Sequence, residues 1–278
     1  MILIFYVFVF IFGLCIGSFL NCVIYRLEQK KSLKGRSFCP HCEHTLSWQD
    51  LVPVFSFLFL RGKCRYCKKS ISLQYPAVEL ATGLLFLLIF NFKFLIFKQF
   101  LIFNFINILF LFFISCFLII IFVYDLKHYI IPDKVLFPAI GVAFVYRLFE
   151  NLVIRHWALI ENWKLKIGNS ATISNFLLAA LISFGFFLFI FLISRGRWMG
   201  FGDVKLVILM GLLLGLPNIF VALFLAFFFG AIIGLILMVL GKKGLKSEIP
   251  FGPFLITGTF MAMLWGKEII QWYLSIFV

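Results

Sequence analysis

The chain has 278 residues, of which 64% are hydrophobic, 20% aromatic and only 13% charged, whereas a soluble globular domain carries about 25% charged residues. That composition excludes a water-soluble enzyme, and apolar runs of the ~20 residues needed to cross a bilayer recur along almost the whole length. The formal net charge of +14 raises nucleic acid or anionic lipid as partners, but the placing of the basic residues argues for membrane topology and against nucleic acid.

The hydrophobic pattern predicts an all-α polytopic membrane protein with about eight transmembrane helices, at 1–25, 77–97, 100–124, 135–154, 174–194, 204–216, 219–240 and 254–277. The first run has no basic n-region and no small-residue cleavage site, so it reads as a retained helix, not a removed signal. Segment 26–76 is the soluble-looking module, with ten Lys/Arg against Glu28, Glu43 and Asp50. Further basic residues stand at Lys127, Lys134, Arg195, Arg197, Lys205, Lys242, Lys243 and Lys246. With the N-terminus outside, all of these segments fall on one side, which the positive-inside rule makes cytoplasmic. Loop 155–173, with Arg155, Trp157, Trp163 and Lys164, then lies outside, at the membrane interface.

Seven cysteines divide into two kinds. Cys15, Cys22 and Cys116 lie inside apolar helices and read as small buried hydrophobes. The other four form Cys39-Pro-His-Cys42 and Cys64-Arg-Tyr-Cys67, two knuckles separated by twenty-one residues. Each presents two thiolates to one tetrahedral ion, a zinc-ribbon arrangement, and a cytoplasmic location argues against stable disulfides. Redox knuckles and unmetallated thiols are the competing readings. His41 and His44 are substitute ligands, but four thiolates already complete a closed site, so this zinc is structural. Lys63, Arg65, Lys68 and Lys69 are placed to offset the charge of a Zn–thiolate centre. A module of about 50 residues is close to the lower limit for folding without such a staple.

Glu79, Asp125 and Asp203 stand at the ends of apolar runs. Glu79, after Tyr75-Pro76-Ala77-Val78, is either a carboxylate favoured by the first-turn dipole or a binding group for something cationic. Asp125 ends a run where the dipole disfavours negative charge, and Asp203 follows Gly200 and Gly202 at the start of another. A carboxylate at membrane depth costs about 2.5–3.5 kcal/mol on insertion scales, and the topology sets Asp125 and Asp203 on the same face. Two neighbouring carboxylates cannot both ionise easily, so one is an acid and the other a base. Gly200 and Gly202 leave room for close approach to Asp203. Asp133, after Pro132, reads as a helix cap, and Lys205 as a snorkelling interface lysine or as a group tuning the local field.

Together these residues resemble the bacterial type IV prepilin peptidases, the prepilin leader peptidase/N-methyltransferases. The resemblance rests on Gly17-Ser18-Phe19-Leu20-Asn21, Tyr25-Arg26-Leu27, both cysteine knuckles, Arg61-Gly62-Lys63-Cys64 and Tyr75-Pro76-Ala77-Val78-Glu79. It continues through Asp125 with Ile131-Pro132-Asp133, Gly200-Phe201-Gly202-Asp203 and Pro250-Phe251-Gly252-Pro253. It implies a Gly-x-Gly-Asp membrane aspartic endopeptidase of the bacterial cytoplasmic (inner) membrane, with Asp125 and Asp203 as catalytic residues. Its substrates are prepilins or pseudopilins, whose basic leaders are cut on the cytoplasmic face. It also implies N-methylation of the new N-terminus from S-adenosylmethionine by the cysteine-bearing half, to which Glu79 belongs. No oligomeric state follows. The departures are Glu28, where proline commonly follows Tyr-Arg-Leu, and Gln74, where arginine is frequent. The expected domains are a first helix (1–25), the zinc module (26–76), two helices (77–124) and a peptidase domain (125–278). A proton-coupled transporter or a non-enzymatic zinc-ribbon assembly protein are the alternatives. The first predicts inverted repeats, of which the sequence shows none. The second leaves the aspartates without a purpose.

Overall fold

In the computed structural model, residues 2–96, 101–160, 172–241 and 249–276 are described. The helices are α1 (Ile2–Glu28), α2 (Phe55–Phe59), α3 (Gln74–Ile96), α4 (Leu101–His128), α5 (Asp133–Ile160), α6 (Ile173–Ser194), α7 (Phe201–Leu214), α8 (Asn218–Val239) and α9 (Gly252–Ser275). Among the described residues there is no sheet, only isolated bridges at Phe38–Thr45 and Lys63–Ser70. Among the described residues, six helices are long and apolar enough to cross a membrane: α1, α3, α4, α5, α6 and α8. The other two expected spans are helical but fall outside that set. α7 has 14 residues, about 21 Å at 1.5 Å per residue, short of the ~30 Å hydrocarbon core. α9 has 24 residues but carries Lys267 and Glu268. Most of the expected interface loop, and Lys242, Lys243 and Lys246, lie outside the described residues; the backbone is helical to Ile160.

The chain divides into two compact units, 1–120 and 121–278. In the first, α1 and α3 approach through small residues, as membrane helices do. A Cβ on Gly13 would lie 2.7 Å from the Cα of Gly83, and one on Gly17 would lie 2.7 Å from the Cα of Glu79. Polar bonds fix the register: Tyr6 Oη donates to Asn91 Oδ1 (2.7 Å) and Asn21 Nδ2 to the Tyr75 carbonyl (3.0 Å). Cys15 is exposed on the surface of α1, and Cys22 and Cys116 are half-buried, so the three helical cysteines are not core residues.

In the second unit α7 is the core. Val204, Leu206, Val207, Leu209 and Met210 have no exposed surface, as expected of a helix apolar on every side. Gly211 lets α7 come against the backbone of Ala179 and Ala180 in α6, and Gly258 lets α9 meet the Ala222 carbonyl of α8. The last carbonyls of α7 cannot be left bare in so apolar a setting. Arg147 of α5 reaches them, with Nε on the Leu212 carbonyl (3.0 Å) and Nη2 on that of Leu213. Its charge is balanced by Glu150 and it lies over the Phe176 ring at 3.8 Å. Arg147 therefore satisfies two carbonyls at the buried end of α7, and the Gly215 N–H, on the Gly211 carbonyl, closes the last turn.

Candidate active site

Asp125 and Asp203 both lie in the second unit, 4% and 7% exposed. α4 continues to His128, so Asp125 occupies its last turn and does not terminate it. Asp203 is the third residue of α7, whose N-cap is Gly200 in an extended conformation. Its N–H donates to the Gly200 carbonyl (3.2 Å), and the Gly200 N–H in return interacts with its carboxylate, half of a capping box. Asp125 lies near enough for its charge to act on Asp203.

Gly252, Ile131, Gly202, Asp133 and Lys205 complete this surrounding. The Gly252 N–H, at the start of α9, interacts with the Asp125 carboxylate, and a Cβ on Gly252 would lie 2.5 Å from Asp125 Oδ2. Ile131, in the turn between α4 and α5, packs against both Gly202 and Gly252. Gly202 therefore gives room to Ile131, while Gly200 stands 3.8 Å from Asp203 Oδ2, measured from a built Cβ. Asp133 opens α5, and both of its oxygens accept from Lys205 Nζ at 2.8 and 2.9 Å. Lys205 is therefore not a free snorkelling lysine, and the Asp133 carboxylate is engaged by α7. Nothing local in the sequence marks Gly252 as a neighbour of Asp125, or Ile131 as a neighbour of Gly202 and Gly252. Glu79 and the cysteines belong to the other unit.

The four knuckle cysteines converge: their Sγ atoms all lie within 4.8 Å of one another. A Zn–S bond of about 2.3 Å sets tetrahedral sulfurs roughly 3.8 Å apart, and Cys39 Sγ and Cys67 Sγ stand 3.9 Å apart. The residues fit zinc, and no histidine joins the cluster among the described residues. The two knuckles repeat one geometry. The N–H of Cys39 donates to the His44 carbonyl and that of Cys64 to the Lys69 carbonyl, while the N–H groups of Glu43 and Lys68 donate back to the Cys39 and Cys64 carbonyls. Glu43 and Lys68 accordingly both take positive φ, 56° and 60°. Burial opposes ionisation of Cys64, but the N–H groups of Cys67 and Tyr66 and the neighbouring thiols outweigh it and bring its thiol down to about 7. Cys42 is the opposite case. A bond from the His44 backbone favours its thiolate, yet desolvation and the Cys39 and Cys67 thiols together push it up to about 11.

Arg65 does not simply face the sulfurs, because its Nε donates to Asp50 Oδ1 at 2.7 Å. Asp50 Oδ2 also accepts from the Ser47 N–H, the Ser47 hydroxyl and Tyr66 Oη. Burial opposes the charge on Asp50, but Ser47 and Arg65 more than offset it and hold the carboxyl below the usual range.

Glu79 is buried, and it lies in the second turn of α3, which begins at Gln74; the first-turn dipole reading does not apply to it. Its Oε2 accepts the Val54 N–H at 2.7 Å, and its carboxylate also interacts with the Ser18 side chain. Val54 has φ 62° and ψ −49°, and the Phe55 N–H donates to the Pro53 carbonyl at 2.6 Å. This is a γ-turn with a β-branched residue at its strained centre. Such a conformation persists only where the surroundings enforce it, and Glu79 is one of the groups that does so.

The Bacterial Peptidase A24 N-terminal domain matches residues 11–92, and the Type IV leader peptidase family matches residues 112–235. A prepilin leader peptidase/N-methyltransferase of Bacillus subtilis (strain 168) is 32% identical over 270 residues, covering 96% of this chain and 96% of its own length. Proteins of the same name from Legionella pneumophila and Aeromonas hydrophila are 30% and 29% identical, over 97% of this chain and 94% of theirs. The chain belongs to the type IV leader peptidase family. No solved structure matches it significantly. The N-terminal match takes in the cysteine cluster and Glu79. The leader peptidase match takes in Asp125, Asp133, Asp203 and Lys205 and ends before Gly252. The transporter and assembly-protein readings gain nothing from these likenesses.

Proposed function

We propose that this type IV leader peptidase is a prepilin peptidase and N-methyltransferase of the bacterial inner membrane, working at the cytoplasmic face on prepilins or pseudopilins. The observation that carries the peptidase half is the pair of buried carboxylates, Asp125 and Asp203, set among Gly200, Gly202 and Gly252. One carboxylate is ionised and takes a proton from a water as that water's oxygen bonds to the scissile carbonyl carbon. The other is protonated; it hydrogen-bonds the carbonyl oxygen and then delivers its proton to the leaving nitrogen as the C–N bond breaks. The distribution of Lys and Arg supports the cytoplasmic face, where a basic leader meets an apolar membrane helix.

Cys39, Cys42, Cys64 and Cys67 would hold a zinc ion, which in a closed site organises the module and takes no part in chemistry. S-adenosylmethionine supplies the methyl group when bound. Glu79 belongs to this half as the residue that fixes Val54. The test is mass analysis of a matched prepilin incubated with the purified protein. Leader loss without the methyl donor, and a further gain of one methyl with it, are the expected results. An intact prepilin under both conditions would refute the proposal.

A further inference from the structure

Lys205 lies two residues beyond Asp203 on α7, and Asp133 two residues beyond Ile131 at the start of α5. Their side chains meet across 72 residues of sequence, with both carboxylate oxygens on one ammonium. The Lys205 side chain is 21% exposed and that of Asp133 53%, and the ammonium sits 5.3 Å from the Phe137 ring centre and 5.2 Å from that of Phe201. Cation–π attraction of this kind strengthens where water is partly excluded. The pair closes a loop of structure: α7 is tied to the α4–α5 turn, and that turn carries Ile131, the side chain lodged against Gly202 and Gly252.

We propose that Lys205 and Asp133 form a clasp that positions the aspartates, holding the turn after Asp125 against the first turn of α7. This rests on the peptidase reading of Asp125 and Asp203. The clasp contacts no reacting atom. It acts through Ile131 and the two glycines, and so sets how Asp125 faces Asp203. A small misplacement of catalytic groups is costly in rate while leaving substrate affinity alone. From the sequence alone Asp133 is a helix cap and Lys205 an interface lysine or a group tuning the local field; the clasp makes them one device.

The test is steady-state cleavage of a prepilin by full-length protein in bilayer discs, comparing wild type, Lys205→Met, Asp133→Asn, the double variant and Lys205→Arg. Each single loss should lower kcat roughly 10- to 100-fold with KM within about twofold. The double variant should be no worse than either single, because only one interaction is lost. Lys205→Arg, which keeps charge and reach, should restore most of the rate, and this distinguishes the clasp from a variant that merely fails to fold. Full kcat in Lys205→Met, losses that multiply in the double variant, or a raised KM at unchanged kcat would each overturn the clasp; the last would place Lys205 on the substrate. Asp125→Asn in the same assay separates the two levels. If it is inactive while Lys205→Met is normal, only the clasp fails; if it cleaves normally, the peptidase reading itself fails.

Discussion

Gly252 stands so close to Asp125 that a side chain there would meet the carboxylate oxygen, 2.5 Å from a built Cβ. The absence of a side chain thus lets the first N–H of α9 face that carboxylate. Gly252→Ala should lower leader cleavage roughly 10- to 100-fold by turning Asp125 aside, with zinc content unchanged. Cleavage kinetics and elemental analysis of the purified variant check this. Wild-type kcat would show that the approach has no bearing on the chemistry.

The cysteine module should hold one zinc per chain, lost when Cys39, Cys42, Cys64 and Cys67 are changed to Ser. Removing the metal should raise amide exchange across residues 26–76, because in so small a module binding energy is largely folding energy. A stoichiometric metal surviving loss of all four thiols would exclude this site.

Asp50 gives the module a pH dependence. Its carboxyl is held low in the folded state, so its stabilising contribution is complete above the ordinary aspartate range and is lost as pH falls through the lowered value. With Arg65 partly exposed, 43% at the side chain, that contribution is about 1 kcal/mol or less. Asp50→Asn should show faster amide exchange in residues 44–66 at neutral pH, and the difference from wild type should vanish in acid. A difference that grows on acidification would contradict this.

Glu79 should matter to methylation more than to cleavage, since it fixes Val54 within the cysteine-bearing unit while both aspartates lie in the other. Glu79→Ala is expected to cut N-methylation at least about tenfold, on the scale of losing a buried charged hydrogen bond, with leader cleavage within about twofold. Glu79→Gln should fall between, because its amide oxygen still accepts from Val54. Mass spectra of mature pilin made by each variant decide the matter. Equal loss of both activities would indicate a general folding defect.

The parts of this architecture that the sequence made legible are those governed by local chemistry. Apolar runs announce helices, and a carboxylate beside such a run stands out because the surrounding medium penalises its charge; hence Asp125 and Asp203 were visible, as were the two knuckles. Helix ends were less so. α4 runs three residues past Asp125. α7 stops at Leu214, where Gly215 takes a positive φ of 65° ahead of Pro217, but the group that meets its last carbonyls is Arg147, 65 and 66 residues earlier. In sequence Arg147 is one scattered basic residue among several. Gly252 against Asp125, Lys205 on Asp133 and Glu79 on Val54 are pairings made by packing, between residues whose neighbours in the chain give no hint of the partner.

The most direct measurement of the central claim is leader cleavage by Asp125→Asn and Asp203→Asn, each purified at wild-type yield and assayed on a matched prepilin. Both roles need an ionisable carboxyl group, so neither variant should release the leader, whereas Asp133→Asn should be slowed but active. Normal processing by either of the first two variants would contradict the assignment.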